Sequence, residues 1–369
     1  MFLALRQLRF ARGRMLVIGL VVALMAALVV IVTGFTNGLT ADTISAIRTM
    51  PASHVVFSAD ATSAQFSRSL VDRDMLEAWQ TRLGDDVVPF GTTIAHGRTD
   101  AGADVEFALF GVEPGSFVAP RVEAGSPVGD ERGVVISREI ADDGVAIGDV
   151  LVVDRLGVEL PIVGITGEAS FGHVAAAYSS LDIWRQLRFG LPGGGVPTPV
   201  AFQQSTALAI RGDPGDADRL DAQVGTQTMT RSESFAGAPG YSGETMIMNT
   251  IRIFLYVISA LVVGAFFVVL VQQRRGEIAL LKAVGAGPGY VVRTLLAEIL
   301  CLLVPSVLAG CAVAWLTGVV VQRTVPFEQR PVSVAVAAVL LVATGLAAVV
   351  VTARRAASVD PLVALGLNR

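Results

Sequence analysis

Four stretches of this chain are too long and too apolar to be read as ordinary core helices. Met15–Phe35 has 21 residues and no charge. As a helix rising ~1.5 Å per residue it reaches about 31 Å, the hydrocarbon thickness of a bilayer. Phe254–Val271 and Val332–Val351 are also uncharged, and Leu295–Val321 carries one charge, Glu298. In lipid, every backbone polar group must be paired within its own segment, so such runs fold as spanning helices. The first run is longer than the roughly 7–15 residues of a signal-peptide core and closes without a small-x-small cleavage site, so it reads as an uncleaved anchor. Hydrophobic residues make up 53% of the chain and aromatics only 7%. The bulk is Val, Ala, Leu and Ile, the composition of lipid-facing helices.

Arginine placement gives the orientation. Arg6, Arg9, Arg12 and Arg14 precede the first run. Arg274, Arg275, Lys282 and Arg293 lie between the second and third, and Arg354, Arg355 and Arg369 follow the fourth. Basic residues favour the cytoplasmic side, so both ends are expected there. The segment from Thr36 to Thr250 holds 28 acidic and 14 basic residues, a net charge of 14 negative, against −4 for the whole chain, and is expected outside. Cys301 and Cys311 both fall in the third run. About 15 Å of helix separates them, beyond disulfide reach. The outer segment has no cysteine and must be stable on its own core.

That segment alternates short strand-like and helix-like pieces. His54–Ser58, Val105–Val112, Val134–Ser137, Val150–Val153, Leu160–Ile165 and Thr206–Arg211 read as strands. Arg68–Leu83 and Ala217–Thr226 read as helices, the second behind Asp213, Asp216 and Asp218, acids that suit a helix N-terminus. Gly190–Pro199 reads as a loop or hinge. Enzymatic constellations are scarce. His54, His96 and His173 form no HExxH pattern, and there is no CxxC, no GxSxG elbow and no Walker loop. Each histidine reads as an ordinary structural or surface residue. No catalytic residue and no metal site is assigned.

Between the second and third runs lies Gln272–Gly287, QQRRGEIALLKAVGAG, with the chain's single lysine. Glu277 early and Lys282 late both suit a helix dipole. Ile278, Leu280 and Leu281 give a short apolar stripe, and Gly285 and Gly287-Pro288 end it. By spacing alone this is either a helix resting on the membrane surface or a docking helix for a cytoplasmic partner.

The run Arg274–Ala286, RRGEIALLKAVGA, resembles the hallmark that follows the second span in FtsX/MacB-type ABC transporter permeases. Gly133–Ala141, Ile147–Val150 and Ile162–Ile165 resemble that family's periplasmic core, and Ala357–Leu365 its tail. The resemblance implies four transmembrane α-helices with a mixed α/β extracellular domain inserted between helices 1 and 2. It implies a coupling helix carrying Glu277, Ile278, Leu281, Lys282 and Gly285, and a non-enzymatic membrane subunit served by two copies of a separate ABC ATPase. It also implies a homodimer. Gly19, Ala23, Ala26 and Ala27 would let helices approach closely, between chains or within one. The expected plan is a basic cytoplasmic N-terminus at 1–14, helix 1 with an outer stalk at 15–50, the outer domain at 51–245 and helix 2 at 246–272. The coupling segment follows at 273–293, helix 3 at 294–321, an outer loop at 322–331, helix 4 at 332–352 and a cytoplasmic tail at 353–369.

Gly34–Ile47, His54–Asp60 and Ser67–Leu70 resemble the family's haem-exporter and DevC-like group. That implies a plasma-membrane efflux permease whose transported ligand is haem, with no resident cofactor and no nucleic-acid partner. Another amphiphile, an antimicrobial compound, or a non-transporting role in regulating an extracellular cell-wall hydrolase are the alternatives. Tyr, Glu and Met side chains can coordinate haem iron and an arginine can pair with a propionate. Tyr241, Glu244, Met246, Met248 and Arg252 precede the second run. Positions 244, 248 and 252 fall on one helical stripe, which ranks Glu244, Met248 and Arg252 first, with Phe35 as an apolar wall. Met246 and Met248 covering the helix start, with Arg252 as an interface anchor, is the plainer reading. Glu298 is an acid within a span, where charge is costly, and is expected to pair with Arg293.

Overall fold

A computed structural model describes residues 12–358 except 62–64, 130–131, 155, 192–196, 275, 279, 281–283 and 323. The chain divides into two compact units, one formed by Thr40–Thr245 and the other by the stretches through Leu39 and from Met246 onward.

The second of these is a helical unit. Its helices are α1 (Arg12–Asp42), α2 (Tyr241–Gln273), α3 (Pro288–Val321) and α4 (Pro331–Ser358). All four are long and apolar enough to cross a membrane. Each shows two kinds of surface. On α1, Met15, Ile18, Val22, Ala26, Val29 and Val30 are buried, while Leu16, Leu20, Leu24 and Leu28 are exposed. Large apolar side chains facing outward are normal in lipid, where association rests on close packing rather than on the hydrophobic effect. Small residues supply that packing. A Cβ at Gly310 of α3 would overlap the carbonyl of Ala23 on α1, and one at Gly19 would press on Ser306 Oγ. The small residues of α1 therefore pack within one chain, and the dimer gains no argument from them.

The unit Thr40–Thr245 is a twisted mixed sheet. The strands that matter below are β1 (His54–Ser58), β2 (Val87–Thr99), β3 (Asp104–Val112), β8 (Ser170–Phe171) and β9 (Val174–Ser180). With β4 at Val122–Gly125, β5 at Val134–Ile136, β6 at Val150–Val153, β7 at Val158–Thr166, β10 at Ala207–Ile210 and β11 at Thr226–Thr230, the sheet's main path runs β11-β1-β10-β2-β3-β9-β5-β7-β4, with β6 pairing β2 and β7, and β8 pairing β9. The β3–β9 and β5–β7 pairs are parallel. One face carries Phe57, Phe66, Phe90, Phe110, Phe171 and Tyr178, whose rings meet edge-on, tilted or stacked at 4.9–6.2 Å. Trp79, from the helix Arg73–Leu83, fills a second cluster with Val56, Val71, Leu208 and Ile210. Trp184, from the helix Leu181–Phe189, fills a third.

The β1 and β6 (Val150–Val153) strands coincide with the sequence reading. The helix expected from Arg68 starts instead at Arg73, because Asp72 caps it by accepting from Met75 N–H at 2.9 Å. The helix expected to run to Thr226 ends at Val224. Gly225 (φ +74°) takes the left-handed conformation that stops it, and Thr226 opens β11. The 13-residue β2 is the main surprise. Gly91 and Gly97 suggest turns, but Gly91 pairs directly with Gly111 of β3, and a Cβ at either would overlap Trp184. Those glycines clear a slot for the indole.

Candidate functional site

The residues singled out for cargo divide between the two units. Within Thr40–Thr245, Thr43 Oγ1 donates to Glu244 Oε2 at 3.0 Å, and His173 Nε2 lies 2.9 Å from the same oxygen. Glu244 Oε1 is buried and finds no partner among the described residues. His173 sits with Gly172 in the two-residue turn joining β8 to β9, and both have φ +66°. Such a left-handed pair matches the twist of a tight hairpin but is uncommon for a non-glycine residue. Gly172 N–H donates to Thr43 O at 2.8 Å, so the turn is fastened beside the carboxylate it serves. Sequence reasoning passed over His173; its position directly after a glycine, between two strand-like pieces, was the available signal. Tyr241 stacks edge-on against Phe235 at 6.2 Å. In the same unit Glu139 accepts from Ser137 and Ser170 hydroxyls at 3.0 and 3.1 Å. Burial raises its pKa above the ordinary carboxylate range, and the two hydroxyls partly offset this.

Within the helical unit, Arg252 donates from Nη2 to Thr36 Oγ1 and Asn37 Oδ1, both at 2.9 Å. Met248 is half-buried; Met246 and Phe35 are exposed. The loop between α3 and α4 lies against α1. Glu328 N–H donates to Gly34 O at 3.0 Å, and Gln329 Nε2 to Ala314 O at 2.8 Å. The Phe327 ring occupies the space a Cβ would need at Gly34 and Gly318, and Pro326 that at Gly38. The Gly34-x-x-x-Gly38 spacing, which elsewhere lets two helices cross closely, is filled here by a loop of the same chain.

Where α2 ends, the chain bends. Arg274 N–H donates to Val271 O at 3.1 Å, and Ile278 N–H to Arg274 O at 3.0 Å. Glu277 is exposed and Ile278 is buried. Gly285 has φ +97°, and Gly287 precedes Pro288 at the first turn of α3. Leu281 and Lys282 lie outside the described residues, as do Arg6, Arg9 and the tail from 359. Glu298 does not pair with Arg293. Five residues rotate a helix by about 140° beyond a full turn, so Arg293 faces outward while Glu298 faces inward. The partner of Glu298 Oε2 is Arg274 Nη1, with both side chains under a tenth exposed. Among the described residues no group of three or more His, Cys, Asp or Glu could hold a metal ion.

Four bilayer-length helices, with a mixed α/β unit inserted after the first, make this a multi-pass membrane protein of the permease class. Residues 15–225 match the family model of the MacB-like periplasmic core domain, and residues 249–361 that of the FtsX-like permease C-terminal region. The chain belongs to the FtsX/MacB family of ABC transporter permeases, whose members work with an ATPase. It is 22% identical over 99% of both chains to the "Putative hemin transport system permease protein HrtB" of Staphylococcus haemolyticus (strain JCSC1435). It is 21% identical, again over 99% of both, to the protein of the same name from Staphylococcus epidermidis (strain ATCC 12228 / FDA PCI 1200). Among solved structures, the periplasmic region of MacB from Actinobacillus actinomycetemcomitans is 10% identical over 49% of this chain and 89% of that one, with a TM-score of 0.36.

Proposed function

We propose that this permease is the membrane subunit of an ATP-driven exporter that removes haem from the bilayer. It acts as a homodimer, with hydrolysis carried by two copies of a separate ATPase and with both chain ends cytoplasmic. The observation that carries the reading is the likeness, along the whole chain, to permeases named for hemin transport. Chemistry supports it. Haem is a flat apolar disc with a charged edge and partitions into lipid, so a pump can collect it sideways. It needs apolar walls, an iron ligand and a cation near the interface. Phe35 and Ile251 present exposed apolar surface, and Met246 and Met248 offer thioethers. The bonds to Thr36 and Asn37 leave from one nitrogen of Arg252, Nη2; its Nη1 is the group offered to a propionate. Glu244 keeps one carboxylate oxygen without a partner among the described residues, and Tyr241 is the remaining candidate ligand.

The test is an absorbance titration of the purified permease with haemin, with haem resistance of cells as the second reading. Binding with a shifted Soret band is expected, weakened in the double variant Glu244→Ala/Met248→Ala. An unchanged spectrum and affinity in that variant puts the ligands elsewhere. No binding and no resistance removes haem as cargo and favours a non-transporting regulator.

A further inference from the structure

We infer that the Arg274–Glu298 ion pair is a positioning contact that makes α3 move with the coupling segment, an inference that rests on the reading of that segment as the ATPase contact. Arg274 is the elbow of the chain. Its N–H closes the last turn of α2, and its carbonyl accepts the Ile278 N–H that opens the next helical piece. Its side chain crosses to α3 and meets Glu298, 24 residues on. Ile278 lies in one apolar cluster with Leu270, Val271, Val291, Leu295 and Ile299. The elbow, the start of the coupling segment and the first turns of α3 thus share one packed core.

Stability does not account for the pair. Side-chain exposures of 8% and 7% mean that both charges are stripped of water. The attraction in such a site often fails to repay desolvation, and a well-packed apolar pair of similar volume is commonly as stable or more so. The pair is also half-made: Arg274 Nε and Glu298 Oε1 are buried and, among the described residues, have no partner. A bidentate fork would fix one geometry. One bond, Nη1 to Oε2, ties the two elements while allowing rotation about it. Apolar side chains alone can slide past one another as the elbow shifts; a directional charged bond pulls its partner along. Glu298 is also the only charged residue in the apolar stretch Leu295–Val321, and an acid there is costly to retain without a purpose.

The test uses the permease–ATPase complex in liposomes and reads permease-dependent ATP hydrolysis and Tm. Single changes strand a buried charge and can prevent folding, so the main variant removes both charges, Arg274→Met/Glu298→Leu. It is expected to insert, to keep the ATPase bound, and to show a Tm and a KM for ATP equal to those of the parent. Its maximal permease-dependent rate is expected to fall about tenfold. The exchanged pair Arg274→Glu/Glu298→Arg is expected to recover at least part of that rate. Leu281→Asp, in parallel, is expected to release the ATPase. Full hydrolysis in Arg274→Met/Glu298→Leu, with loss only in Leu281→Asp, overturns the positioning role and leaves the coupling segment standing. Full hydrolysis in both overturns both. A rate loss accompanied by a collapse in Tm assigns the pair to folding alone and also overturns the inference.

Discussion

The two units solve the same packing problem with opposite use of charge. In the sheet unit, most arginine–carboxylate pairs lie at the surface: the Arg98 and Asp104 side chains are 65% and 78% exposed, and those of Arg211 and Asp86 57% and 48%. Such pairs are worth roughly 0–1 kcal/mol each. The core beneath them is apolar, with aromatic rings gathered on one face of the sheet. In the helical unit the surface is apolar, the interior mixes small residues with large aliphatic ones, and, among the described residues, a buried ion pair joins the end of α2 to α3. Glycine serves both units for different partners: at Gly91 and Gly111 it receives an indole, and at Gly310 it receives a neighbouring helix backbone. Where water is the solvent, apolar burial stabilises and charge decorates. Where lipid is the solvent, shape stabilises and a buried charge marks a working part.

The sharpest break of this comparison is Gly310→Leu. The branched side chain must force α3 off α1 at Ala23, and the result expected is loss of detergent-stable permease, with the sheet unit still protected from protease. Normal yield and Tm would show that helix contact here is loose. Trp184→Ala attacks the other unit. Emptying the slot over Gly91 and Gly111 should cost about 3–5 kcal/mol, read by hydrogen exchange of β2 and β3, with the exchange of α1 and α3 unchanged. Phe327→Ala should loosen the α3–α4 loop from α1 by about 1 kcal/mol. A cysteine placed at Gln329 should then label a few-fold faster.

Smaller still is a pH effect. Glu139 has its pKa raised in the folded state by burial, so the folded state holds its proton more tightly than the unfolded chain does. Its contribution is therefore most favourable at low pH and is lost as pH rises from the ordinary carboxylate value through the raised one. Glu139→Gln should flatten that part of the stability-against-pH curve of the sheet unit; an unchanged slope would contradict the assignment. Arg98→Ala should be smallest, within about 0.5 kcal/mol, by thermal melting.

The four membrane helices were legible because span length and lack of charge are composition-level signals. The strands His54–Ser58 and Val150–Val153 were legible because their apolar runs are flanked by turn residues. β2 was not: Gly91 and Gly97 are turn formers in sequence, and only tertiary contacts explain why a strand keeps them, Trp184 at Gly91 and the backbone of Val152 on β6 at Gly97. β9 hides as Val174–Ser180, an alanine-rich stretch without β-branched residues after its first position. Glu244, Met248 and Arg252 were selected by helical spacing, but the partners of Glu244 are not local. Thr43 and His173 come from 201 and 71 positions away, and no periodicity links them. Glu298 was misassigned for the same reason. The local rule offered Arg293, whereas the true partner is set by how α3 packs against the end of α2.

The most direct measurement is haem movement in proteoliposomes holding this permease and the ATPase that co-purifies with it. ATP is expected to draw haem out of the bilayer to the face bearing the sheet unit, and Glu244→Ala/Met248→Ala to slow this while leaving the complex assembled. Brisk permease-dependent hydrolysis with haem left where it began would contradict it.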